Sequence, residues 1–201
     1  MVGTISGGFP LELITQRTRL RRPGPDDAEA IFQRYASSPE VTQYMSFPTH
    51  RGIEETRAFL ARANESWNRG TAFPYLIERR ADALLLGATG LHIEAAHRYM
   101  TGYVLARDAW GQGYATEVLT AMLELAFSRP EVCRVYALCD VEHVASARVM
   151  EKCGMQREGV LRSHTVLPNR SPEPRDVLCY SKVRGTAASP VAGGVTVERI
   201  T

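Results

Sequence analysis

Tyr103-Val104-Leu105-Ala106-Arg107-Asp108-Ala109-Trp110-Gly111-Gln112-Gly113-Tyr114-Ala115-Thr116-Glu117 runs from an apolar strand through a two-glycine turn and straight into a helix. A turn of this kind aims several backbone N–H groups at one point, and the helix start adds roughly half a positive charge. Glycine lets the backbone approach an anion with no side chain in the way. The segment therefore reads as a phosphate cradle. It is not a nucleotide P-loop, because Gly113 is followed by Tyr114 where Lys and Ser/Thr are required. Nor is it the dinucleotide fingerprint, whose third glycine position holds Thr116. Taken alone, Gly-x-Gly is equally an ordinary tight turn.

The flanks give the turn a context. Upstream, strands are predicted over 18–22, 73–79, 84–93 and 99–106, and the last three are joined by connections short enough for antiparallel pairing. Between the first two strands, Pro25-Asp26-Asp27 starts a helix whose face carries Ala28, Ile31, Phe32, Tyr35 and Ala36. Pro39 and Pro48 bracket a connection, and a second helix over 53–68 ends at Gly70. Downstream, Val118, Leu119, Met122, Leu125 and Ala126 form one stripe of a helix over 113–128. A strand over 132–139, a helix over 144–153 closed by Gly154, and strands over 156–165 and 177–183 complete the chain. The loop over 167–175 holds three prolines and two arginines. The order β-α-α-β-β-β-α-β-α-β-β predicts a single α/β domain with a mixed sheet. It is expected over 14–184, with a flexible arm over 1–13 and a flexible tail over 185–201.

With 201 residues, 44% hydrophobic and 23% charged, the chain has ordinary globular values, which argue against the disordered and membrane classes. A net charge of +2 gives no reason to expect nucleic acid. The first ten residues carry no basic stretch followed by an apolar core, so the expected location is the cytoplasm. Cys133, Cys139, Cys153 and Cys179 form no Cys-x-x-Cys pair and read as reduced core thiols. No His/Cys spacing suits a metal.

A second segment decides between turn and cradle. It reads Asp140-Val141-Glu142-His143-Val144-Ala145-Ser146-Ala147-Arg148-Val149-Met150-Glu151-Lys152-Cys153-Gly154-Met155. Together, the two segments resemble the GNAT superfamily of N-acetyltransferases. Within it they are most similar to the branch containing the bacterial enzymes that acetylate the N-termini of ribosomal proteins. That branch carries Trp-Gly-x-Gly-Tyr-Ala-Thr-Glu, matched from Trp110 to Glu117, and Asn-x-x-Ser followed by Glu-Lys-x-Gly-Phe. Here the latter stand as His143-x-x-Ser146 and Glu151-Lys152-Cys153-Gly154-Met155. The early Arg17-Thr18-Arg19-Leu20-Arg21 and the late Asp176-Val177-Leu178 also fit.

The resemblance implies a sheet whose two central parallel strands splay apart, with acetyl-CoA as co-substrate in the gap. It implies that the backbone of Val104 and Leu105 pairs with the pantetheine arm, and that Trp110, Gly111, Gln112, Gly113, Tyr114, Ala115 and Thr116 hold the pyrophosphate. The implied reaction is direct attack of an amine on the thioester. The acceptor is a protein N-terminal α-amine, or alternatively a small amine such as an amino acid, polyamine or antibiotic. A silent acetyl-CoA-binding module is the reading outside enzymes. Ser146 matches a family serine near the CoA sulfur and is expected as acid or CoA contact. Glu94, near the acceptor entrance, is the expected base. His143 stands for the usual Asn and is expected to contact CoA or substrate. Many relatives pair, which makes a homodimer possible. His92 and Tyr180 are expected in the core.

Overall fold

A computed structural model of the chain describes residues 8–185. The strands are Glu12–Ile14 (β1), Thr18–Arg21 (β2), Ala72–Arg79 (β3), Leu85–Ala95 (β4), Arg98–Leu105 (β5), Arg134–Asp140 (β6), Gln156–Val166 (β7) and Pro174–Val183 (β8). They form one sheet in the order β1-β2-β3-β4-β5-β6-β8-β7. All neighbours are antiparallel except β5 and β6. The helices are Ala28–Ile31 (α1), Pro39–Thr42 (α2), Ile53–Arg69 (α3), Tyr114–Phe127 (α4) and Val144–Lys152 (α5). A 3-10 turn, Pro25–Asp27, leads into α1, and a π-helical turn, Phe32–Ala36, follows it.

These elements follow from local chemistry. The acids Glu54 and Glu55 sit in the first turn of α3, and Gly70 ends it in the left-handed conformation at φ 69°. The stripe on α4 is buried along its length. With α5 it packs on Leu86, Leu91, Leu105, Val135 and Ala137 to form the larger core cluster. The smaller cluster sets Ile31, Tyr35, Val41 and Leu60 of the first three helical segments against Leu76, Leu85 and Val104. Neighbours Val104 and Leu105 thus enter different clusters, as strand alternation requires.

The one parallel pairing is short. β5 and β6 share Arg98↔Arg134, Tyr99↔Val135 and Met100↔Tyr136 and no further pair. Beyond that point β5 continues to Leu105 and β6 to Asp140, so the sheet opens between them.

The N-terminal arm expected over 1–13 is overturned where it is described. Phe9 and Leu13 are 2% and 1% exposed, and β1 pairs with β2. The phenol of Tyr75 also donates to Pro10 O (2.6 Å). Three residues of strand are too few to show a period, and what orders them is the hairpin with β2, itself paired with β3. Between Pro39 and Pro48, the Ser38 side chain caps the short α2. His92 is exposed rather than in the core, because alternation turns it opposite to the buried Leu91. Tyr180 is buried as expected, with its hydroxyl donating to Glu151 (2.7 Å). Of the expected tail, residues 186–201 lie outside the described part.

Gly87 marks the closest backbone approach in the sheet. A Cβ there would lie 2.0 Å from the carbonyl oxygen of Val104. Gly87→Ala is therefore expected to destabilise the fold by about 2–4 kcal/mol, through displacement of β5 at the opening. Urea unfolding checks this; a loss under about 0.5 kcal/mol would show that β5 shifts freely.

Candidate active site

The loop after β5 is built to present backbone N–H groups. A 3-10 turn, Arg107–Ala109, leads to Gly111 at φ 73° and then to Gly113 at φ 82°. Both glycines adopt the left-handed conformation that other residues resist. Gly113 is the N-cap of α4, and no side chain caps that helix. The first-turn N–H groups of Tyr114, Ala115 and Thr116 have no partner within the helix and converge with the dipole on one spot. That is a fit for a pyrophosphate. Gln112 does not reach it, because its side-chain amide folds back onto Asp108 O (2.6 Å).

Trp110 has a different task from the cradle. Its indole N–H donates to Leu105 O (2.7 Å), and Arg107 lies 4.7 Å over its ring. The loop is thereby tied to the last residue of β5. Beside this tie, the Ala106 N–H donates to Leu86 O (2.7 Å). Alternation then commits the backbone of Val104 to β4 and turns that of Tyr103 and Leu105 toward the opening. Of the two residues expected to pair with pantetheine, Leu105 is the one whose N–H faces it.

A latch unforeseen from the sequence holds the cradle from behind. Glu117, in the first turn of α4, is 7% exposed. One carboxylate oxygen accepts from the Thr15 hydroxyl (2.5 Å) and the Arg17 N–H (2.7 Å), the other from Arg17 Nε (2.7 Å). Arg17 Nη1 also donates to Gln112 O (2.9 Å), and its guanidinium lies 4.6 Å over Tyr114. Arg17 Nη2 stands 3.4 Å from where a Gly113 side chain would begin. Arg17 thus places a cation at the rim of the cradle. Both residues lie in the quoted segments, but 100 positions of separation hide the pairing from any local pattern.

Across the opening, α5 brings Ser146 to β5. The Ser146 hydroxyl lies 3.0 Å from the Tyr103 hydroxyl, which also donates to Ser146 O (3.3 Å). Burial pushes the Tyr103 phenol well above its ordinary value, so it stays a proton-bearing partner. Beside Ser146, burial raises the Cys139 thiol to about 11, which keeps it protonated.

His143, the N-cap of α5, stacks on Tyr44, which follows α2 (centroids 4.3 Å, planes 14° apart). Arg170 lies 5.1 Å over the Tyr44 ring and pairs with Glu142. Arg175 pairs with Glu142 (2.9 Å) and with the buried Asp140 (2.5 Å). The Asn169 side chain accepts from Thr49 N (2.8 Å) and donates to Thr42 O (2.7 Å) and Phe47 O (2.8 Å). The proline-rich loop and the segment after α2 are thereby bolted together over the mouth.

Glu94 is not brought to Ser146. It accepts from Tyr136 Oη (2.5 Å) and Arg98 Nε (3.0 Å) at the closed end of the β5–β6 pair. Tyr136 is level with Met100, three residues or about 10 Å before Tyr103 along the strand. Among the described residues, no three His, Cys, Asp or Glu side chains group as a metal site, and no helix is long and apolar enough to cross a membrane.

Comparisons with known proteins point to one family. Residues 17–156 match the family model described as the acetyltransferase (GNAT) domain. The uncharacterized N-acetyltransferase YoaA of Bacillus subtilis is 32% identical over 178 residues, which span 88% of this chain and 98% of that one. A GNAT-family acetyltransferase structure from Bacillus anthracis superposes with a TM-score of 0.74 at 26% identity, covering 86% of this chain and 98% of its own. A Salmonella typhimurium acetyltransferase described as modifying the N-terminal serine of ribosomal protein L7/L12 shares the fold, with a TM-score of 0.75, 21% identity and coverage of 86% and 99%.

The latch has a pH signature. Burial opposes ionisation of Glu117, yet the hydrogen bonds from Thr15 and Arg17 prevail and hold its carboxyl below the usual 4.5. A carboxylate with a depressed folded-state pKa contributes stability above about pH 4.5 and loses it as pH falls through the folded value. Glu117→Gln should cost about 1–2 kcal/mol at pH 7, discounted for the half-exposed Arg17. It should also flatten the stability slope below pH 4.5. Equal acid slopes for both proteins would remove Glu117 from that role.

Proposed function

The chain belongs to the GNAT family of acetyl-CoA-dependent N-acetyltransferases, and on that premise we propose that its acceptor is the α-amine of a protein N-terminus. The observation that carries this is the charge state of the mouth. Asp140 and Glu142 are both paired with arginines, and against the opposing burial the Arg175 hydrogen bonds hold the Asp140 carboxyl below its usual range, so it is no strong base for an incoming amine. A site of that kind suits an amine of low basicity. An α-amine titrates near 8, a lysine near 10.4. The Salmonella relative described as acting on an N-terminal serine points the same way. Such an enzyme works in the cytoplasm, where acetyl-CoA is supplied.

In this reading the N–H groups of Gly113 through Thr116, with Arg17 at the rim, hold the pyrophosphate. The Leu105 N–H holds the pantetheine arm or the developing oxyanion. The Ser146 hydroxyl, backed by Tyr103, protonates the departing sulfur.

Calorimetry with acetyl-CoA tests the cofactor half. Gly113→Glu places an acid in the cradle and should abolish binding that the wild type shows. Ser146→Ala should leave binding within about threefold while lowering kcat roughly 10- to 100-fold. For the acceptor, peptides carrying both a free α-amine and an internal lysine should be modified at the α-nitrogen by mass spectrometry. Turnover of lysine side chains or small amines alone would overturn the acceptor assignment.

A further inference from the structure

We propose that His143 is the group that takes the proton from the acceptor's ammonium, the part expected of Glu94. The inference rests on the acetyltransferase reading above and adds to it the base. Three observations converge. Neither ring nitrogen of His143 has a hydrogen-bond partner among the described residues, and neither is a buried orphan, so both keep access to solvent beside Ser146. The ring is held by stacking against Tyr44 rather than by a hydrogen bond, which fixes its plane and leaves its lone pair unused. His143 also lies three residues before Ser146, one helical turn away, with the Ser146 N–H bonded to His143 O (3.0 Å). Base and acid therefore stand on one rigid element.

The stack also lies across the opening. Tyr44 follows α2, which is anchored to the β5 side by the Glu40–Arg107 pair (2.6 Å), while His143 follows β6. An amine passing through the mouth toward the thioester meets this ring. The charged groups around it are Asp140 at the end of β6, Glu142 beside it, and Arg170 and Arg175 on the overlying loop. Burial lowers the His143 pKa below 6.5, with Asp140 pulling the other way, so the ring is neutral at pH 7.

The protons balance as follows. His143 takes one proton from R–NH3+ and passes it to water. The freed nitrogen lone pair forms the C–N bond at the thioester carbonyl, and the C–S bond breaks. Ser146 gives its proton to the leaving sulfur and regains one from the nitrogen, which ends as the amide N–H.

The test is the pH dependence of kcat/KM with an N-terminal peptide, for the full chain and for His143→Gln and His143→Asn, with acetyl-CoA Kd and Tm measured alongside. With a base that accepts from bound ammonium, the wild type shows an acid limb with its midpoint below 6.5 and is level from there to about pH 8. Without it, only amine already neutral reacts, so the variants should rise tenfold per pH unit up to about 8. At pH 7, where about a tenth of an α-amine is neutral, they should lose roughly tenfold in kcat/KM. Their acetyl-CoA Kd should stay within about threefold. Partial rescue of His143→Gly by added imidazole is also expected.

A wild-type profile that itself climbs tenfold per unit to pH 8 would overturn the assignment, as would variants within twofold of wild-type kcat/KM at pH 7. A variant that loses acetyl-CoA binding more than tenfold would make His143 a cofactor contact instead. Wild type that binds no acetyl-CoA would fail the underlying reading and not this step alone.

Discussion

β5 and β6 share three parallel pairs and then part, and the catalytic half of the molecule is arranged around that separation. Two strands that diverge inside a sheet leave N–H and C=O groups without a ladder, and such groups must find partners. Here the partners come from different places. The indole of Trp110 satisfies Leu105 O from one side. On the other, β8 fills the outer edge of β6 with seven pairs, so β6 does not need β5 to stay in the sheet. What remains turned to the gap is the backbone of Tyr103 and Leu105, with the hydroxyls of Tyr103 and Ser146 at its inner wall. Those groups have the layout of an exposed strand edge, with N–H and C=O groups turned outward.

Much of this was legible because it is local. The strands on either side of Gly111–Gly113 show through alternation, and α4 through its stripe. The cradle shows through two glycines whose positive φ is a property of the turn itself. The segment from His143 to Gly154 placed Ser146 on a helix one turn from its start. What was not legible depends on approach between distant positions. The latch joins Thr15 and Arg17 to Glu117. The stack joins Tyr44 to His143, and the bolt joins Asn169 to Thr42. None has a spacing that a period can detect. Phe9 and Leu13 were assigned to an arm because a Gly-rich start masks two residues buried by partners elsewhere.

Glu94 was misplaced for a related reason. An acid at the end of a strand near the acceptor side is a reasonable base when only its position along the chain is known. The register places it in the bulge opposite Arg98 and Tyr99, at the closed end of the β5–β6 pair, where Arg98 and Tyr136 both donate to its carboxylate.

The charge balance around the cradle follows from the same contacts. An acid in the first turn of a helix normally complements the dipole, and would compete with a phosphate for it. Glu117 is in that turn, yet its carboxylate faces away, into Thr15 and Arg17. Arg17 cancels it, and keeps Nη2 beside Gly113. The N-terminal end of α4 therefore retains its uncapped N–H groups and their partial charge for a ligand. The Trp110 indole N–H is already bonded to Leu105 O and is not free for a phosphate. In this chain backbone N–H groups and the helix dipole face the cradle with Arg17 at its rim, and Trp110 and Glu117 hold that backbone in place.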